Sequence, residues 1–230
     1  DALPATLLPS LQKQSQEVKR LLAQVTGCEA ADDLVGARRL FRGLLVRKDA
    51  EELRAFVERR IGEINIALLF ADRPSPEKVK HLVEPGDLVA KLARTYGNTQ
   101  EYLLKANGLE KPERLRSGRE IWVLKNPAFE LTVFKGGGTS VLTLNGRFFK
   151  RYTSGVGKLA ESPSGVYAVR SRTKKPVYQS PEHGEAEFGN PRNILGACWI
   201  SLAATGETQE AEGLGLHGTW SESTLGRQVD

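Results

Sequence analysis

Apolar positions change their period along this chain. Within residues 1–72 they recur every three or four residues: Leu11, Val18, Leu22 and Val25, then Leu34, Ala37, Phe41 and Leu44, then Leu53, Val57, Ile61, Ile64 and Leu68. That spacing places each set on one face of an α-helix. Gly27 predicts the end of the first helix. Asp49, three residues ahead of Glu52, has the N-cap spacing that predicts the start of the third. Three such stripes bury one another as a small bundle. With more repeats they would line a docking groove of the tetratricopeptide kind, and the pattern favours the bundle.

Residues 73–80, within ADRPSPEKVK, are polar and carry Pro74 and Pro76, which forbid a continuing helix and predict a linker. Residues 81–124 read as strand, helix, helix, strand. His81-Leu82-Val83 is the first strand, and Pro85-Gly86-Asp87 a turn whose Asp87 is placed to cap a helix carrying Leu88 and Leu92. Gly97 ends that helix and Thr99 caps the next, which buries Tyr102, Leu103 and Ala106. Asn107-Gly108 closes it, and Ile121-Trp122-Val123 returns as a strand. From residue 127 the period falls to two. Phe129, Leu131 and Val133 alternate with polar residues as in a half-buried strand, Gly136-Gly137-Gly138 is a loop, and Asn145-Gly146 is a hairpin turn. Tyr152–Val156 and Val166–Val169 continue the series. The whole reads as an α+β multidomain chain: a helical bundle, a small βααβ unit, and a mainly-β sandwich or barrel-like region over residues 127–230.

Composition narrows the chemistry. Hydrophobic residues make up 40% and charged residues 27%, the balance of a globular protein. No run approaches ~18 apolar residues, so no transmembrane segment is expected. The net charge of +5 comes without basic blocks or aromatic–basic interleaving, so a nucleic-acid partner is not expected. It reads as a solvated basic surface, or as weak attraction to a polyanionic envelope. Cys28 and Cys198 stand in unrelated contexts with no CxxC pair, which predicts two buried free thiols, no metal and no cofactor. His183 is a lone loop histidine expected to be exposed, and Glu185 and Glu187 make no convincing acid–base pair.

The βααβ unit resembles a LysM module. The matching residues are Gly86 and Asp87 in the turn, Leu92-Ala93, Tyr96-Gly97, Asn107, and Gly118 followed by Ile121. The resemblance implies recognition of N-acetylglucosamine-containing glycan, with peptidoglycan as the partner. It places the sugar beside Gly86, Asp87 and Leu88 on one loop and Asn107 and Gly108 on the other.

The β region resembles the L,D-transpeptidase catalytic domain of the YkuD-like family. Four pieces carry this: FELTVFKGGGTSVLTLNGRFFKRYTSGVGK, SPSGVYAV, FGNPRNILGACWISL and GLGLHGTWSESTLG. The resemblance implies acyl transfer on a peptidoglycan stem peptide through a cysteine thiolate whose neighbouring histidine is the base. His217 is expected to line the substrate pocket across from that thiol, with Gly215, Gly218 and Thr219 against the substrate. The family's Ser/Thr-His-Gly-Cys segment follows its histidine turn by roughly 15 residues. Here 13 residues follow His217 and none is Cys or His. The nucleophile is therefore expected beyond Asp230. Cys198, inside an apolar strand, is not expected to replace it. The start, DALPATLLPS, lacks a basic region and a long apolar core, which fits an envelope protein whose signal peptide has been removed. A degenerate, purely binding member of the family is the alternative expectation.

Overall fold

The computed structural model of the chain describes residues 13–157, 163–180, 184–219 and 221–227. Leu11 of the first stripe, and His183, lie outside them. The described residues mix helices with several small sheets, and they divide into two compact units. The first takes the described residues within 13–132 and 141–151, the second those within 133–140 and 152–227.

The first unit opens with three helices: α1 (Gln16–Ala30), α2 (Leu34–Leu45) and α3 (Arg54–Phe70). Ser15 caps α1 by accepting from the Val18 N–H, and Asp33 caps α2 by accepting from the Gly36 N–H at 2.8 Å. The expected stripes meet as one core containing Val18, Leu22, Phe41, Leu44, Val57, Ile61 and Leu68. Gly27 does not stop α1. It lies inside the helix, and the chain turns instead at Asp32, which adopts a left-handed φ of 54°. Asp49 does not cap α3 either. A 3₁₀ turn over Lys48–Leu53 precedes that helix, and the Asp49 carboxylate is held by Arg47 and Ser15.

Strand β1 (Lys78–Leu82) starts earlier than the pattern predicts, so the loop after α3 is only residues 71–77. Helices α4 (Val89–Thr95) and α5 (Gln100–Ala106) follow, and β2 (Glu120–Leu124) returns antiparallel to β1, with Lys80 opposite Trp122. The core of this βααβ unit is Val83, Val89, Leu92, Tyr102, Leu103, Ile121 and Val123, and Leu69 and Phe70 from the end of α3 pack against it. Asp72 accepts from the Trp122 indole N–H at 2.6 Å, and Lys78 Nζ donates to the Ala71 carbonyl at 2.7 Å. The Pro-containing stretch is thus a braced corner and not a flexible tether.

Strands β3 (Phe129–Phe134), β4 (Thr139–Leu144) and β5 (Arg147–Thr153) form a three-stranded sheet in that order. Strand β3, expected half-buried, is exposed along its length, with Phe129 set edge-on to Phe149. The part of β5 in the first unit is bound to α2 and α3 through buried polar groups. Asn65, 1% exposed, donates to the Phe149 carbonyl and accepts from Arg38, whose other nitrogen reaches Glu77. Arg151 grips buried Glu58 through two nitrogens. Glu58 is the buried member of this pair, and without Arg151, which is itself partly open to solvent, it would be left as a buried charge short of its closest partner.

The second unit contains β6 (Tyr167–Lys174), β7 (Tyr178–Ser180), β8 (Gly184–Ala186), β9 (Cys198–Ala204) and β10 (Gly215–His217). They form one sheet in the order β10-β9-β6 and a β7-β8 hairpin, all antiparallel. Val156 and Ala186 are the buried hydrophobic side chains among its described residues. Two inner faces enclosing a sandwich core are therefore not seen among those residues. The strand expected over Tyr152–Val156 ends at Thr153, as the last part of β5. Cys28 and Cys198 are free and half-buried, where full burial was expected.

Candidate functional site

The residues of the two sequence-predicted sites fall in different units, one set in each. In the first unit the turn bearing Gly86, Asp87 and Leu88 follows β1. Asp87 does not cap α4. The residue before that helix is Leu88, whose side chain is exposed. Asp87 instead closes its own turn. Its carboxylate accepts from the Glu84 N–H at 3.0 Å and faces His81 Nε2 at 3.0 Å, while His81 Nδ1 meets the Tyr96 hydroxyl at 2.9 Å. The Glu84 N–H and then the His81 hydrogen bond hold the Asp87 carboxyl below its ordinary range. Asp87 thus shapes the loop on which Gly86 and Leu88 are displayed.

Asn107 also differs from expectation. It is 8% exposed, and its carboxamide is used within the fold. It accepts from the Trp122 N–H at 2.7 Å and donates to the Trp122 and Leu103 carbonyls at 2.9 Å. Two residues further along β2, Asn98 does the same for Leu124, accepting its N–H at 2.8 Å and donating to its carbonyl at 2.9 Å. In an antiparallel pair alternate residues turn their polar groups away from the partner strand. Trp122 and Leu124 are those residues on β2, and the two asparagines stand in for a third strand. Asn107 is therefore a positioning residue, and its side chain is not offered to a sugar. Sequence reasoning missed Asn98, although its place directly before the Thr99 cap was a usable signal.

Gly108 remains at the surface, with nothing within 4 Å of where a Cβ would stand. It lines a shallow groove of about 270 Å³ with Leu109, Glu110, Arg114 and Arg119. Arg119 ties the parts together. Its carbonyl accepts from the Val83 N–H at 2.9 Å and its guanidinium donates to the Asn107 carbonyl at 2.7 Å. The loop after β1 and the loop after α5 are thus held by one short network at the same end of β1 and β2.

In the second unit Gly215, His217, Gly218 and Thr219 are brought together on β10 and the turn after it. His217 stands opposite Trp199, and their rings stack with centroids 5.9 Å apart. His217 Nδ1 lies 2.6 Å from the Gly218 carbonyl. A carbonyl can only accept, so Nδ1 carries the hydrogen in the neutral ring and Nε2 is left as an acceptor on an exposed side chain. The small residues around it serve the chain itself. A Cβ on Gly215 would stand 2.5 Å from the Trp199 indole. Gly196, at φ 63°, lets the backbone approach Gly218, where an added Cβ would come within 2.9 Å. Thr219 Oγ1 accepts from the Ser221 N–H at 3.0 Å and shapes the turn. Asn193, 3% exposed, braces the preceding loop by donating to the carbonyls of Pro176 and Ala186. Cys198 precedes Trp199 on the same strand, so its side chain leaves the opposite face of the sheet from His217. That separation excludes a Cys198–His217 pair on geometry. Glu185, exposed, accepts from Gln179.

The braced βααβ unit, with a shallow groove beside Gly108, has the make-up of a small binding module, and residues 81–124 match the family model of the LysM domain. The chain is 28% identical over 153 residues, covering 64% of its length and 79% of theirs, to proteins named L,D-transpeptidase YkuD from Bacillus licheniformis and from Bacillus subtilis. The chain therefore joins a LysM domain to a YkuD-like region, and its role concerns peptidoglycan. Both similarities point to an extracytoplasmic cell-wall protein. Among the described residues no helix is long and apolar enough to cross a membrane, and no cluster of three His, Cys, Asp or Glu could hold a metal ion.

Proposed function

We propose that this protein remodels peptidoglycan by L,D-transpeptidation while its LysM domain holds it on the glycan strands. In this reading residues 1–72 are a helical region, 73–80 its connection to the LysM domain at 81–124, and 127–230 a transpeptidase-like β domain of sandwich or barrel type. A cysteine thiolate attacks the carbonyl of the penultimate residue of a tetrapeptide stem. The peptide bond to the terminal D-alanine breaks, D-alanine leaves as the amine, and a thioester remains. An amine of a second stem then attacks the thioester, forming a new amide and returning the thiol. That cysteine belongs to a Ser/Thr-His-Gly-Cys segment following His217, which residues 1–230 do not contain. His217, with Nε2 as acceptor, orients the stem peptide, and Gly215, Gly218 and Thr219 hold it in place. Gly86, Leu88 and Gly108 contact the sugar, while Asp87 and Asn107 position the two loops. Anchoring raises the local concentration of stem peptides around the catalytic region. The protein is secreted to the envelope after removal of a signal peptide and contributes to cell-wall biogenesis.

The similarity to the YkuD proteins over 153 residues is the observation that supports this reading most. One observation favours a second reading, a binding protein without catalysis: Cys198 projects away from His217. Intact-mass measurement on the protein purified from its native host, after incubation with disaccharide-tetrapeptide, separates the two. An acyl adduct with release of D-alanine supports the enzyme. An unmodified mass, with retained binding to cell walls, supports the binder.

A further inference from the structure

The groove beside Gly108 carries a charge that a neutral sugar does not need. Residues 105–119 hold five basic and two acidic side chains. Arg114 and Arg119 both line the groove, against a single carboxylate, Glu110. Arg119 is oriented by its bond to the Asn107 carbonyl and is exposed, with no other side-chain hydrogen bond among the described residues. Arg116 is turned back onto the carbonyls of Glu113 and Leu115. Arg114 is exposed and takes part in no ion pair or side-chain hydrogen bond among the described residues. The open space at Gly108 leaves its backbone accessible in the same groove that the two arginines line.

We infer that this groove binds a carboxylate of the peptidoglycan stem peptide, so that the LysM domain reads peptide-bearing glycan in preference to the bare sugar chain. A guanidinium presents paired N–H groups that match the two oxygens of a carboxylate. A pair of arginines set against one acid leaves a positive excess at the groove, which favours an anion arriving with the sugar. The inference rests on the glycan-anchoring reading and adds to it a selectivity set by Arg114, with Arg119 as the fixed partner.

The test uses the whole chain and three probes: a chitin oligomer, a disaccharide-tetrapeptide glycan, and the same glycan with its carboxyl groups converted to methylamides. Calorimetric titration is expected to show the carboxylated glycan binding about five-fold tighter than the amidated one, the gap narrowing at high salt. Arg114→Gln is expected to close most of that gap and to leave chitin-oligomer binding within two-fold. Equal binding of carboxylated and amidated glycan by the parent chain overturns the inference alone. Equal loss of all three probes in Arg114→Gln, with the circular dichroism spectrum unchanged, also overturns it by making Arg114 a plain sugar contact. Failure of the parent chain to bind any probe overturns the glycan-anchoring reading itself, and this inference with it.

Discussion

Asn107→Ala separates a positioning role from a sugar-contact role in the LysM domain. The substitution removes one acceptor and two donated bonds at a site only 8% exposed. The Trp122 N–H and carbonyl then face no partner, because Trp122 occupies a position whose polar groups point away from β1. A buried backbone group left unsatisfied costs about 1–3 kcal/mol. Two such groups, partly relieved by water entering the space left by the carboxamide, give a loss of about 3 kcal/mol. That is roughly a 150-fold fall in the folding equilibrium constant. Urea unfolding of the whole chain, followed by far-ultraviolet circular dichroism, measures it. Asn107→Asp should recover part of the loss only, since an ionised carboxylate accepts from the Trp122 N–H but cannot donate to its carbonyl. Under conditions where the alanine variant remains folded, its affinity for chitin oligomers should stay within about three-fold of the parent. A stability change below about 1 kcal/mol, or a collapse of affinity in the folded variant, would refute the assignment of Asn107 as a strand surrogate.

Gly196→Ala should destabilise the second unit by about 2 kcal/mol or more, because it forces a left-handed φ on alanine and drives a Cβ into the Gly218 backbone. Thermal unfolding checks this, together with the imidazole NMR signals of His217, which should shift; unchanged values for both would refute the contact. Asp49 should titrate at about 2 in the folded chain, held down by Arg47 first and Ser15 second. Since its folded value is depressed, the stabilisation is complete above the ordinary carboxylate value and is lost as pH falls from about 4 towards about 2. Carboxyl-detected NMR gives the value directly, and Asp49→Asn should flatten that part of the stability–pH curve.

The helical stripes and the βααβ pattern were legible because period and burial agree there. Val18, Leu22, Phe41, Ile61 and Leu68 are buried as their spacing implies. Helix boundaries were less legible. Gly27 and Asp49 both carry strong local signals, and both were overridden: the chain turns at Asp32, and Asp49 is captured by Arg47 and Ser15. At the loops expected to face a sugar the residue types marked turns and loop ends, but their bonding roles were not legible. Asp87 and Asn107 stand where the pattern places them, yet each bonds inward, a choice set by backbone groups that no local sequence reveals. The same holds for Gly215, whose missing side chain makes room for Trp199. The two-residue period from Phe129 to Val133 predicted a strand correctly and its burial wrongly, since alternation records residue type and not what packs on it.

Co-sedimentation of the whole chain with purified peptidoglycan sacculi tests the central claim most directly. The chain should pellet with the sacculi and be released into the supernatant by soluble N-acetylglucosamine oligomers. A chain that stays in the supernatant at low ionic strength, or that pellets but is not displaced by any excess of those oligomers, would contradict the account.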